Sequence, residues 1–182
     1  SDLEYYWWHA PLSFYLAGPH SAWLRTAYYG LAVASMLLAA GLQCSLVPAA
    51  RYTLVHVLLA GGGLSLAITA TWPGASPGHP VSDAGAFIHG LSAIASFLLV
   101  GVAMLLQSTS LHRDPHWRAV ARPLLALHAL WKALPRGGSQ KAVIALYVSW
   151  LGAVAWRLRS APSRAHGADH ATTVEAGADA RP

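Results

Sequence analysis

Charge is what this sequence has least of. Asp, Glu, Lys and Arg make up 10% of it, against about 25% in an ordinary soluble domain, too little to dress the surface of a water-soluble fold. Cysteine is almost absent too. Cys44 is the single one, which excludes an internal disulfide and any zinc site built on cysteine pairs. HExxH, GxSxG, a phosphate-binding P-loop and a paired-carboxylate arrangement are all missing, so the common hydrolase and nucleotide chemistries have no support in the residues. The sequence gives no ground for an enzyme. Internal repeats and a broken helix carrying a buried charge are missing as well, which counts against a transporter.

What is present is apolar. Hydrophobic residues make up 55% of the chain, gathered in runs near the ~20 residues that cross a hydrocarbon core. An all-α fold is expected, a polytopic transmembrane helix bundle with about five spans over 22–42, 52–71, 83–107, 117–134 and 142–158. Residues 1–21, aromatic and broken by proline, suit a segment lying at the interface, where Trp and Tyr sit at headgroup depth. Residues 159–182 are small, polar and without period, the composition of a disordered tail.

Three features position these helices. Gly61, Gly62 and Gly63 stand in a row in the second span. In water three glycines would weaken a helix by up to about 1 kcal/mol each; in lipid they offer a close-contact surface. Pro73, Pro77 and Pro80 keep the following loop from being helical throughout, and Ser82 or Asp83 is a natural cap for the third helix. On that helix Gly85, His89, Ser92, Ser96 and Ala103 share one side at 100° per residue, so this side is expected to face protein. PRGGSQK, from 135 to 141, is expected to be a tight turn.

The fourth span is the shortest, ~24 Å by the helical rise against a ~30 Å core. Arg118, Arg122, His128 and Lys132 share one of its faces, which suits an interfacial helix as well as a span whose cations snorkel outward.

The net charge of +5 lies at helix ends and in short loops, with no basic face interleaved with aromatics, so it reads as an orientation signal and not as a nucleic-acid surface. With five spans, Arg51, Arg113, Arg118, Arg122, Arg157 and Arg159 share one side, which reads as cytoplasmic together with the C-terminus. Arg25, Lys132, Arg136, Lys141, Asp2, Glu4 and Asp83 take the other. A multi-pass protein of the inner (plasma) membrane is expected, with the bilayer and membrane-protein complexes as its partners.

Several stretches resemble a known family: LSFYLAGPHSAWLRTAYYGL (12–31), TWPGASPGHPVSDAGAFIHGLSAIASFLL (71–99), HRDPHWRAVARPLLAL (112–127) and GGSQKAVIALYVSWLGAVAWRL (137–158). In order and spacing they are similar to the prokaryotic membrane family known as domain of unknown function 998 (DUF998). The resemblance implies a six-helix membrane protein whose first helix precedes Ser1, and it favours 117–134 as a true span. It implies no activity. The chain departs from the family pattern at Phe14 and Ala75, where acidic residues are common, so carboxylate chemistry at those points is not expected.

Candidate chemistry gathers where the second loop meets the third helix. Ionisable groups inside membrane helices are costly and tend to be paired or functional, which singles out His89. Its other reading is a neutral imidazole bonded to a neighbouring helix or loop. Asp83 reads mainly as a cap. Trp7, Trp72, His79, Asp83 and His89, with Trp8, His9 and His20 nearby, form a candidate pocket for a lipid, quinone or pigment, set against a plain aromatic belt.

Haem between facing histidines is the alternative. His56 and His89 lie ~20 Å apart in depth by the helical rise and cannot share an iron. His89 and His128 differ by ~6–8 Å in depth, which disfavours haem without removing it. His166 and His170 lack a third ligand for a metal. The leading expectation is an accessory subunit of a membrane complex or a binder of a hydrophobic ligand.

Overall fold

Long apolar runs with no water to satisfy their amides must close their hydrogen bonds within the segment, and the described residues form five helices, most of them such runs. In the computed structural model these are α1 (Ser21–Ser45), α2 (Thr53–Thr71), α3 (Asp83–Ser110), α4 (Arg118–Ala129) and α5 (Arg136–Arg159). Residues 10–76, 78–129 and 136–160 are described, with the side chains at 120, 125–129 and 136–140 set aside. Short 3-10 turns occupy Leu12–Ala17, Pro48–Ala50 and Leu111–Arg113. Among the described residues there is no strand, only an isolated bridge between Ser76 and His79. The fold is an all-α bundle, and four of its helices, α1, α2, α3 and α5, are long and apolar enough to cross a membrane.

The distribution of polarity inverts that of a soluble protein. Ser35, Thr69, Ser92, Ser96, Gln107 and Ser108 are buried, while Leu37, Val57, Leu64, Phe87, Leu91, Ile94 and Leu98 lie exposed along the helix flanks. Leu and Val on the outside cost nothing in hydrocarbon, and each buried hydroxyl can find a backbone carbonyl one turn back. Ser35 donates to Leu31 at 2.6 Å and Thr69 to Ser65 at 2.9 Å.

The glycine row makes α2 the middle helix. A Cβ on Gly62 would lie 2.5 Å from Val100 Cγ2 of α3, and one on Gly63 would lie 2.8 Å from the Ala32 carbonyl oxygen of α1. Consecutive residues point about 100° apart on a helix, so two neighbouring glycines serve two different partners. Gly61 has more room, with Leu99 Cδ1 at 3.4 Å.

Strand-free connectivity also decides how α5 runs. Its Tyr147 hydroxyl bonds Ser35 of α1, Trp150 Nε1 donates to Ser108 Oγ of α3 at 3.1 Å, and Arg157 Nη2 donates to the His116 carbonyl at 2.6 Å. Helix α5 therefore ends beside Ser108 and His116, at what we call the basic end, where Arg51, Arg113 and Arg118 also lie. The opposite, loop end carries Trp72 and Asp83. Arg136 starts α5 ~16 Å from Tyr147 toward the loop end, at 1.5 Å per residue. The chain between Trp117 and Arg136 must consequently pass from the basic end to the loop end. Helix α4 is 12 residues long with Pro123 inside it, ~18 Å by the helical rise; the remainder of the expected span 117–134 lies outside the described residues, as do 1–9 and 161–182.

Most helix limits fall within three residues of the sequence expectation, and two local expectations need correction. The stretch 136–141 is the first turn and a half of α5, not a turn between helices. Gly137 and Gly138 have low helix propensity, yet tertiary context overrides so weak a prior, and here they stay in the helix that leads into the apolar stretch from Lys141. At the start of α3 the cap is Ser82, whose Oγ accepts from Gly85 N at 3.2 Å, and Asp83 takes the first helical position. Asp83 still suits the positive end of the helix dipole there.

Two packed clusters hold the bundle. The larger fills its basic half with Leu42, Leu46, Val55, Leu59, Met104, Leu111, Trp117, Trp150 and Val154. The smaller seats Leu16 of the first 3-10 turn against Tyr28 and Ala70 near the loop end.

Candidate functional site

His89 lies one and a half turns into α3, on the face that looks back at the loop. Its Nδ1 stands 2.7 Å from the Trp72 carbonyl oxygen, and a carbonyl can only accept, so Nδ1 carries the proton. Gly74 makes the position possible. A Cβ there would fall 2.7 Å from His89 Cδ2 and 3.0 Å from Nε2. The loop thus folds onto the imidazole through backbone alone.

Among the described members of the expected pocket, Trp72, His79 and Asp83 are exposed, whereas His89 is buried. Trp72 contributes its carbonyl, while its indole is 43% exposed, in keeping with an interface anchor. His79 pairs by backbone with Ser76, at 3.2 and 2.9 Å, around a turn in which Gly78 has φ 77°; His79, Asp83 and His20 are all exposed. Trp7, Trp8 and His9 lie outside the described residues. So does the side chain of His128, and with it the haem pairing to His89. No group of three or more His, Cys, Asp and Glu residues suited to a metal is found among the described residues.

The structure instead opens a cleft that sequence reasoning missed, deeper in the bundle. Helix α5 meets α3 through Trp150 and Ser108 near the basic end, and toward the loop end the two part. Val143, Ile144 and Tyr147 of α5 form one wall; Ala93, Ser96, Phe97 and Val100 of α3 form the other. Tyr28 and Leu31 of α1 and Gly62, Leu66 and Thr69 of α2 close the floor, around a cavity of about 50 Å³. A single water needs roughly 10–15 Å³, so the slot is small, with room for a few such groups. It is far from the ~300–1,000 Å³ usual for a drug-sized or pigment-sized ligand.

Nearly all of the lining is apolar, and most of its hydroxyls are already engaged. Thr69 Oγ1 donates to the Ser65 carbonyl and faces Ser92 Oγ at 2.9 Å, Ser96 donates to Ala93 at 2.9 Å, and Tyr147 bonds Ser35. Ser13 and Tyr28 differ, with no hydrogen bond to either hydroxyl among the described residues. Tyr28 is 6% exposed and lines the cleft. Its only sequence signal was a tyrosine inside an apolar run; nothing there showed that α5 would splay away from it.

A second missed residue is Asp114, a completely buried carboxylate in the loop between α3 and α4. Its Oδ2 accepts from Val47 N and its Oδ1 from His116 N, both at 3.0 Å. It ties the α1–α2 loop to the α3–α4 loop and thereby sets the basic end, a structural role that leaves both oxygens occupied. His56, near the same end, has both ring nitrogens buried without a partner.

Comparison of the chain with protein-family models, curated proteins and solved structures finds no match in any of the three.

Proposed function

We propose that this is a membrane protein that binds a lipophilic, chain-like molecule in the cleft between α3 and α5, with Tyr28 as the polar anchor. The observation that supports this most directly is the placing of Tyr28 on the floor of an apolar slot, with no hydrogen bond to its hydroxyl among the described residues. A hydroxyl that opens into an apolar slot can bond an ester, carbonyl or hydroxyl on a ligand head, while the ligand's tail lies against Val143, Ile144 and Phe97. Of the three ligand types expected from the sequence, a lipid or a quinone tail suits a small apolar slot better than a bulky pigment does. The resemblance to the DUF998 family belongs to the same proposal. It adds a bundle and no chemistry, as does placement in the plasma membrane with the basic end cytoplasmic.

Filling the slot tests the reading. The full chain is purified in mild detergent, and the lipids and quinones that accompany it are extracted and identified by mass spectrometry. Ala93→Phe puts a ring into the cleft, while Ile94→Phe puts one on the exposed flank next to it. The expected result is an enriched species lost from Ala93→Phe and kept by Ile94→Phe. An identical lipid complement in both variants would sink the proposal.

A further inference from the structure

We infer that the groove between the end of α3 and the start of α4 is a binding site for the headgroup of an anionic phospholipid. The groove is separate from the cleft and opens at the basic end, with a volume of about 860 Å³. It is lined by Ser108, Thr109, His112, Arg118, Ala119, Ala121 and Arg122.

Arg118 and Arg122 are spaced i, i+4, so they stand one above the other on a single face of α4. Both are exposed. Arg118 Nε reaches the His112 carbonyl at 3.4 Å, a long contact that fixes its stem and leaves the rest of the guanidinium for another acceptor. His112 closes the third side from the 3-10 turn. Two guanidiniums and an imidazole around one opening match the several oxygens of a phosphodiester, and arginine meets such oxygens in pairs.

Among the described residues the acids are Asp83, at the far end of α3, and Asp114, whose two oxygens are taken by Val47 N and His116 N. Arg122 also sits ~6 Å farther along the helix than Arg118, on the segment that must travel toward the loop end. A cation carried into the edge of the hydrocarbon is costly unless it snorkels back to an anion. A lipid phosphate at the interface is an anion at that depth, and Ala119 and Ala121 leave small apolar wall for its first acyl carbons. Basic recesses between helix ends are where anionic headgroups are held.

The test uses the full chain in mixed micelles holding equal phosphatidylglycerol and phosphatidylcholine, with retained lipid counted by native mass spectrometry. Two favourably placed arginines should give phosphatidylglycerol a preference of about tenfold or more. The double variant Arg118→Gln/Arg122→Gln should bring that preference to parity, whereas Arg25→Gln, at the loop end, should leave it. Should the double variant fail to fold, the wild-type preference is followed with ionic strength, and it should fall as salt screens the pairing. Equal retention of the two lipids by the wild type, an unchanged preference in a folded double variant, or insensitivity to salt would overturn the assignment. Displacement of the lipid by an equal concentration of inorganic phosphate would overturn it in favour of a free anion.

Discussion

The Cα of Gly63 on α2 faces the Ala32 carbonyl oxygen on α1 so closely that a methyl group there would stand 2.8 Å from it. The obstacle is backbone, and backbone in two packed spans does not give way as a side-chain tip does. Gly63→Ala should therefore push α1 and α2 apart, costing ~1–3 kcal/mol, the usual range for overpacking. Gly61→Ala, where Leu99 Cδ1 is 3.4 Å away, should be tolerated. Thermal unfolding in mild detergent, compared across the two variants, checks the contrast.

Asp114 sets a second scale. Removing a buried carboxylate that accepts two backbone amides strands both donors, and charged hydrogen bonds of this sort contribute about 1.5–3 kcal/mol each. Asp114→Ala should be among the most damaging single changes in the chain, and Asp114→Asn, which keeps one acceptor oxygen, clearly milder. Proteolysis within the α1–α2 loop should rise in the alanine variant, because Val47 is then no longer tied to the loop after α3.

Tyr147 and Ser35 make the opposite case. Their hydroxyls bond across α5 and α1 inside the bundle, yet Ser35 keeps the Leu31 carbonyl as an acceptor when the tyrosine hydroxyl is gone. Tyr147→Phe should cost only ~0.6 kcal/mol, the average for such interhelical bonds in lipid. A loss several times larger would show that α5 depends on this contact for its docking.

Gly74 is expected to control His89. A methyl group at position 74 would enter the imidazole ring's space, so Gly74→Ala should turn the ring out and break the bond from Nδ1–H to the Trp72 carbonyl. Nitrogen NMR of selectively labelled histidine should show a protonated Nδ1 in the wild type and a mixture of tautomers in the variant. An unchanged spectrum would mean that the loop moves and the ring does not.

Cys44 provides a native reporter of topology. It is exposed near the basic end of α1 and is the single cysteine, whereas Gly78 is exposed on the loop at the other end. In sealed vesicles a membrane-impermeant maleimide should reach Cys44 and, in a Cys44→Ser/Gly78→Cys variant, Gly78→Cys from opposite sides. Labelling of both from one side would refute the bundle's placement across the membrane.

Much of this architecture could be read from the residues. Apolar runs near twenty residues long, broken by Pro73, Pro77 and Pro80, located the helices, and the spacing of His89, Ser92, Ser96 and Ala103 identified the face of α3 that is buried. The fate of His89 was open between a bonded imidazole and a ligand, and the structure displays the bond, to Trp72. Where the reading slipped, local composition was too weak a guide. PRGGSQK has turn composition, but helix propensity is a small term that the helix running on from Lys141 overrides.

The cleft and the basic groove were not legible, because both are products of how one helix leans. Hydropathy along the chain determined that this protein is a helical membrane bundle and which loops carry its positive charge; those properties follow from one segment at a time. Only tertiary structure decided that α5 runs beside α1, so that the stretch from 117 to 136 must traverse the bundle. It also decided that α5 parts from α3 above Trp150 and leaves Tyr28 facing an apolar slot. Pairings between distant segments depend on shape at the contact, down to a methyl group missing from Gly62 and Gly63, and no local pattern of residues encodes that shape.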